Sequence, residues 1–340
     1  MRLDGQDPRA IEQAARTLAA GGLVGFPTET VYGLGADGAS DLAVAGIFAA
    51  KGRPSDHPLI LHVADAADAG RFAHNVPDWA RSLMQAFWPG PLTLILPRRE
   101  GVAAAAAGGQ PSIGLRCPAH PVALALLRAC AAQDPPVHAL AGPSANRFGK
   151  VSPTSAAHVQ AEFGDALMVL DGGPCDVGIE STIVDATRGA PVLLRPGVLT
   201  AAQLEKACGQ KVWSPVEWAA RRDAGGVPAM APRASGTLES HYAPNARVRL
   251  MDAAQIQTGL DLLGPDASRM AVYARARLRV LSRQVLQRTM PADAALAARQ
   301  LFAVLREVDA HGVGLIWVET PPDLPEWEGV HDRLRRAAAT

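Results

Sequence analysis

Between Gly209 and Pro244 the sequence has no hydrophobic period; it carries Pro215, Pro228, Pro232 and Pro244, the pair Gly225-Gly226 and the pair Arg221-Arg222. Proline fixes φ and removes a donor, and glycine adds backbone freedom, so neither helix nor strand propagates easily through such a stretch. On both sides the apolar residues regain the spacing of short strands and helices. A chain interrupted in this way is constrained to build two cores rather than one. The expected division is an α/β domain over 1–208, a linker over 209–244 and a second domain over 245–340, within a length of 340 residues. That length suits two domains of roughly 100 to 200 residues each.

In the first half, Asp7-Pro8 reads as an N-cap followed by proline at the first helical position, with Ile11, Ala14, Ala15 and Leu18 on one face and Gly21-Gly22 as the stop. Leu23–Phe26 is then a short buried strand that delivers Thr28, Glu29 and Thr30 to a loop at its carboxyl end, where open α/β sheets place ligands. Further strands are expected at 59–63, 92–96, 112–116, 137–141 and 167–170, with a hairpin of 181–185 and 192–195. Helices are expected at 41–50, 77–87, 121–130 with Leu124, Leu127 and Ala131 inward, from Ser152 onward, and at 200–208. The alanine-rich 102–109 stretch reads as a mobile loop. In the second half, strands at 248–251, 270–273 and 313–318 alternate with helices at 253–263 and 293–311, which indicates a small doubly wound α/β domain. No constellation of chemistry-bearing residues stands out there.

The densest polar chemistry is the run Lys51-Gly52-Arg53-Pro54-Ser55-Asp56-His57-Pro58, which leads into Leu59-Ile60-Leu61-His62. Pro54 and Pro58 favour extended conformations in the residues before them, so the segment reads as a stiff arm with Lys51 and Arg53 pointing the same way, towards one polyanion. The alternative is a solvated turn with ordinary surface charge. Ser112, Gly114 and Arg116 share one face of a strand, and a buried arginine there calls for a carboxylate or phosphate partner. Gly142-Pro143-Ser144-Ala145-Asn146 forms a turn that either donates to phosphate or merely caps a strand.

With a net charge of +0 and 5% aromatics, any polyanion site must be a local patch. The four cysteines, Cys117, Cys130, Cys175 and Cys208, form no C-x-x-C pair and read as reduced structural thiols. No signal-peptide core and no long apolar run is seen, so a cytoplasmic protein is expected.

Five segments, Phe26–Gly35, Lys51–His62, Ser112–Arg116, Pro143–Asn146 and Gly178–Thr182, together resemble the YrdC/Sua5 family of L-threonylcarbamoyladenylate synthases. The likeness is close over the first 200 residues or so and weaker beyond. It implies an α/β fold: a YrdC-like twisted open sheet with helices, plus a small Rossmann-like C-terminal domain. It implies synthesis of threonylcarbamoyl-AMP and pyrophosphate from L-threonine, bicarbonate or CO2, and ATP, for modification of tRNA adenosine 37. By this resemblance Lys51, Arg53, Ser144 and Asn146 form the catalytic tetrad at the phosphates. Thr30, His62, Arg116, Gly142 and Ser181 bind L-threonine, and Gly142 stands where the family often has alanine. Arg53, His57, Ser112, Ser144, Ser152, Arg195, Tyr242 and His241 line the ATP site, the last two from a linker that folds over it. His57 stands where the family often has asparagine, and its charge is expected to vary near neutral pH. The 235–244 segment is read as a strap that the synthase half requires more than it requires the C-terminal domain. Magnesium is expected on the ATP, with no protein side chain assigned as its ligand. The partners implied are the substrates and the downstream tRNA threonylcarbamoyl-transfer machinery, with direct tRNA contact left open and no membrane. Two other readings fit the fold class: an RNA-binding or ribosome-maturation protein, and a carbamoyl transferase of hydrogenase maturation. Zero net charge disfavours the first and the missing C-x-x-C pairs the second.

Overall fold

The structure is a computed structural model that describes residues 1–223, 231–236 and 241–339. The first ten strands are β1 (Arg2–Asp4), β2 (Val24–Phe26), β3 (Gly33–Asp37), β4 (Ile60–His62), β5 (Leu92–Pro97), β6 (Ser112–Arg116), β7 (Leu140–Ala141), β8 (Met168–Asp171), β9 (Thr182–Asp185) and β10 (Val192–Arg195). Helices α1 (Pro8–Ala19), α2 (Asp41–Lys51), α3 (Ala69–Phe72), α4 (Asp78–Phe87), α5 (Pro121–Ala131), α6 (Ala156–Phe163) and α7 (Ala201–Cys208) connect them, and α8 (Pro215–Asp223) follows. The second half contributes β11 (Arg247–Met251), α9 (Ala253–Leu263), β12 (Met270–Ala274), β13 (Leu286–Thr289), α10 (Ala294–Ala310), β14 (Leu315–Glu319) and α11 (Glu328–Ala337).

Among the described residues the first ten strands form one mixed sheet in the order β1-β8-β2-β3-β7-β4-β6-β5-β9-β10, and the rest form a four-stranded parallel sheet in the order β11-β14-β12-β13. The α/β class and the separate parallel sheet match the expectation. At the centre of the large sheet β4 and β6 run parallel with His62 opposite Arg116, while β7 pairs antiparallel with β4. Parallel register places His62 and Arg116 at the same end of the sheet and, by the period of two, on the same face. One apolar cluster packs α2, α4 and the centre of the sheet, and another packs α1 and α5 against β2 and β8. A third joins α10, α11, β11 and β14 to Val31, Val151, Ile179 and Tyr242, so the second core is continuous with the edge of the first. No helix among the described residues is long and apolar enough to cross a membrane.

Several expectations need correction. Lys51 is the last residue of α2 rather than part of an extended arm, because Gly52 supplies the left-handed C-cap (φ 62°) only after it. The following residues form a turn in which His57 N donates to Pro54 O, so the two prolines bracket a turn; Lys51 donates to Ser144 O and Asn146 O, and Arg53 to Pro58 O and Ser235 Oγ. The 102–109 stretch is packed, with Ala103, Ala106 and Ala107 buried and Ala106 O accepting from Leu59 N. On α5 the inward residues are Val122, Ala123, Leu126, Leu127 and Cys130, while Ala131 is exposed. Helix α6 starts only after Ser155, its N-cap; Pro153 O is instead used by Tyr32 N. The aperiodic stretch holds α8, whose Ser214 Oγ accepts from Glu217 N while the Glu217 carboxylate accepts from Ser214 N. That is a reciprocal capping box with proline at the first helical position, where it stabilises rather than breaks. The short edge strand β13 and the last helix α11 complete the second domain.

Candidate active site

A cleft opens at the end of the sheet where His62 and Arg116 lie side by side. Thr30, Arg53, His62, Arg116, Gly142, Ser144, Ser181, Arg195, His241 and Tyr242 line it, so ten of the residues singled out in the sequence converge on one space. The others lie elsewhere. His57 lines an adjoining hollow with Phe148, and Ser112 lines a neighbouring groove over β6. Lys51, Asn146 and Ser152 are buried in the wall rather than facing the cleft.

Arg116 is 4% exposed. Its guanidinium lies 2.7 Å from Glu29 Oε1, donates to Thr30 Oγ1 at 2.8 Å and reaches Gly90 O at 3.2 Å. The contact to Glu29 is close without being aligned as a hydrogen bond, while the other Glu29 oxygen accepts from Ala119 N at 3.1 Å. The Arg116 fork is therefore charge-neutralised yet only partly engaged, a state suited to exchange for a second carboxylate. His62 is buried beside it, and burial, with Arg116 as the next cause, pushes its imidazole down to about 3. Its Nδ1 has no hydrogen-bond partner among the described residues. A Cβ at Gly142 would lie 2.8 Å from that Nδ1, so alanine at 142 would require the ring to shift.

In the same cleft Arg53 and Arg195 hold one serine between them. Arg53 donates to Ser235 Oγ at 3.0 Å and Pro58 O at 2.9 Å, while Arg195 donates to Ser235 O at 2.8 Å. Arg195 also donates to Ser181 O and Oγ, and Ser181 Oγ lies 2.8 Å from Thr93 Oγ1. Gly236 follows at φ 72°, and a Cβ there would lie 2.4 Å from Tyr242 Oη. Residues 237–240 of the expected strap lie outside the described residues. At its far end Tyr242 is buried at φ 62°, a conformation uncommon for a large side chain. Its ring meets His241 edge-on at 4.0 Å and Phe302 of α10 at 5.4 Å. Burial first, then Glu180, raises the Tyr242 phenol to about 12, and burial lowers the His241 imidazole to about 3. Tyr242 Oη and His241 Nδ1 have no hydrogen-bond partner among the described residues. Unpartnered buried polar atoms are rare, and their convergence on one cleft favours a polar ligand there.

The wall residues act on backbone. Lys51 Nζ donates to Ser144 O at 2.6 Å and to Asn146 O, and Asn146 Nδ2 donates to Arg147 O and Lys150 O. Burial and then Arg53 lower the Lys51 ammonium well below its usual range. Together they fix the 144–146 turn that presents Ser144 to the cleft. His57 is held below its ordinary range by burial and then by Arg53.

Sequence reasoning missed four contributors. Glu29 lay in a quoted motif without a role, although a buried arginine opposite a loop carboxylate is a legible pairing. Glu180 was likewise quoted and unassigned; it accepts from Ser152 Oγ and from Arg333. Arg306 of α10 and Arg333 of α11 come from the domain in which no chemistry was found, and only the tertiary fold brings them here.

A family model described as "Telomere recombination", covering Sua5, YciO and YrdC proteins, matches residues 16–197. A second, described as the C-terminal domain of threonylcarbamoyl-AMP synthase, matches residues 199–339. The threonylcarbamoyl-AMP synthase of Pyrococcus abyssi is 37% identical over 335 residues, covering 96% of this chain and 94% of its own. That of Bacillus subtilis is 35% identical over 349 residues, covering 99% and 94%. The crystal structure of P. abyssi Sua5 complexed with L-threonine superposes with a TM-score of 0.86 at 35% identity, covering 99% of this chain and 96% of that one. Fold and sequence thus agree along the whole length, and the chain belongs to the Sua5–YciO–YrdC family, in the form that carries a Sua5 C-terminal domain.

Proposed function

We propose that this protein is an L-threonylcarbamoyladenylate synthase, joining L-threonine, bicarbonate or CO2, and ATP into threonylcarbamoyl-AMP with release of pyrophosphate, for modification of tRNA adenosine 37. The observation that carries the reading is one cleft lined both by the half-engaged Arg116 fork beside a neutral His62 and by Arg53 and Arg195, which meet at Ser235. An amino acid has one carboxylate to seat and ATP has a chain of phosphates, and the cleft is lined by three arginines that can share them.

In this reading Arg116 binds the threonine carboxylate, with Thr30, Ser181, His62 and the Gly142 backbone around its hydroxyl and amine. A neutral His62 can accept from the amine or donate to an oxygen without repelling a cation. Threonine carbamate then attacks the α-phosphorus: one carbamate O–P bond forms, the bond from that phosphorus to the bridging oxygen breaks, and pyrophosphate carries the electron pair away. No covalent enzyme intermediate is required. The protein's work is alignment and charge stabilisation, assigned to Arg53, Arg195 and Ser144, with Lys51 and Asn146 fixing the turn that carries Ser144. Ser112, His57, Ser152, His241 and Tyr242 surround the nucleotide.

Magnesium fits this site as a companion of the phosphates. The carboxylates at the cleft, Glu29 and Glu180, are committed to Arg116 and Arg333, so the metal would be held mainly by ATP oxygens and water, where it neutralises phosphate charge. The reading as an RNA-binding protein is disfavoured because Arg53 and Arg195 are buried and tied to Ser235 rather than presented on a surface. Pyrophosphate release that requires both L-threonine and bicarbonate tests the proposal, and release independent of either would overturn it.

A further inference from the structure

Glu180 lines the cleft and accepts from the buried Ser152 Oγ behind it, and both ends of that hydrogen bond are gripped by the C-terminal domain. Arg333 of α11 is fully buried. It donates to Glu180 Oε2 at 2.9 Å, to Glu180 O at 3.0 Å and to Pro196 O at 2.6 Å, and its guanidinium lies 5.5 Å from the centre of the Tyr242 ring. Asp332 accepts from Arg333 at 2.9 Å and from Arg336, which holds the guanidinium from behind. At the other end Arg306 of α10 donates to Val151 O and to Ser152 O at 3.3 Å, while pairing with Glu162 at 2.8 Å.

The helices sit close enough for these arginines to act as short, stiff levers. Gly329 lies one turn before Arg333, and a Cβ there would fall 2.6 Å from Gly197 O and 2.8 Å from Ile179 Cδ1. A Cβ on Gly178 would fall 2.4 Å from Arg299 Cα of α10. The segment that carries Glu180 and Ser181 is therefore pressed between the sheet and two helices of the other domain.

We infer that Arg333 and Arg306 are positioning residues for the nucleotide end of the site, holding opposite ends of the Ser152–Glu180 hydrogen bond and, through Arg333, the Tyr242 ring. The inference rests on the proposed synthase reading, which places Ser152 and Tyr242 at ATP. It runs against the expectation that the synthase half requires the strap more than it requires the C-terminal domain. Arg195, next to Glu180 on β10, stays with Ser181, so the second domain supplies a charge that the first does not spare.

The test uses full-length Arg333→Gln, Arg306→Gln and the double variant. Kinetics for ATP and L-threonine are measured by pyrophosphate release, and ATP affinity by titration calorimetry, on protein whose circular dichroism and melting show a native fold. Each single variant is expected to raise the KM and Kd for ATP about tenfold, with a smaller change for threonine, since coupled contacts of this kind are worth 10-fold-scale effects. The double variant is expected to raise them by less than the product of the singles, because both act on one hydrogen bond. Lower melting temperatures with ATP parameters unchanged would make the arginines interdomain bolts only and overturn the inference; so would a fully multiplicative double variant. Arg333→Gln strands a buried carboxylate, so if it fails to fold, Arg333→Gln with Glu180→Gln takes its place, by itself and combined with Arg306→Gln, with the same two outcomes. A wild-type protein that binds ATP without threonine-dependent pyrophosphate release would refute the synthase reading instead, and the calorimetric comparison still decides the inference.

Discussion

Replacing Arg116 with glutamine separates the ion pair that the side chain makes in the fold from the substrate-binding role proposed for it. Arg116 and Glu29 are both buried, 4% and 7% exposed, and face each other at 2.7 Å. Removing the cation leaves the Glu29 carboxylate with the Ala119 N–H as its remaining donor. Breaking a buried pair in this way costs about 3 to 5 kcal/mol of folding stability. The same substitution deletes the partner proposed for the substrate carboxylate, and truncating one member of a buried charged contact costs about 2 to 5 kcal/mol of binding, at least about 30-fold. Adding Glu29→Gln distinguishes the two losses, because it removes the stranded charge but restores no cation. Urea unfolding of the double variant is expected to recover most of the lost stability, whereas calorimetric titration with L-threonine stays weak and titration with ATP stays close to wild type. Recovery of threonine binding along with stability would refute the assignment of Arg116 to the substrate.

Three further perturbations probe other parts of the account. Arg53→Ala is expected to abolish pyrophosphate release while leaving threonine binding within about threefold, because its target is phosphate rather than carboxylate; calorimetry alongside the turnover assay checks this. Gly236→Ala forces an L side chain into φ 72° with its Cβ 2.4 Å from Tyr242 Oη, a strain of about 1 to 3 kcal/mol, so ATP affinity should fall roughly tenfold or more with threonine affinity preserved. His62 and His241 are buried neutral, lowered from 6.5 to about 3, so the unfolded chain binds two protons that the folded chain refuses. Their contribution is complete above about pH 6.5 and is lost as pH falls towards 3, with a slope of at most about 3 kcal/mol per pH unit. Urea midpoints measured between pH 7 and 4 should show that fall, and it should weaken by about half in His241→Phe.

Local chemistry was legible where it was dictated locally. Strand β6 could be read from alternation, and with it the shared face of Ser112, Gly114 and Arg116; α9 could be read from its apolar spacing to its first and last residues. Lys51 was misplaced because the two prolines after it argue for extended chain, whereas the stop signal that decides its conformation is Gly52. Strand β13, Leu-Gln-Arg-Thr at the sheet edge, has one strong apolar residue and so little period to detect. Helix α8 carried a readable Ser-Pro-Val-Glu cap that the surrounding prolines and glycines masked. Arg333 lies in the run Asp332-Arg333-Leu334-Arg335-Arg336, which reads as a solvated charged helix face; its burial against Glu180 is a property of the interface between domains, and no spacing within α11 encodes it.

The central claim is that the cleft makes an adenylate from threonine carbamate and ATP. Its most direct test supplies purified full-length protein with ATP, magnesium, L-threonine and 13C-bicarbonate and examines the products by mass spectrometry. The account predicts threonylcarbamoyl-AMP carrying the label at its carbamoyl carbon and pyrophosphate in equal amount, with neither formed when threonine or bicarbonate is withheld. Hydrolysis of ATP without the labelled adenylate, or pyrophosphate formed in the absence of threonine, would contradict it.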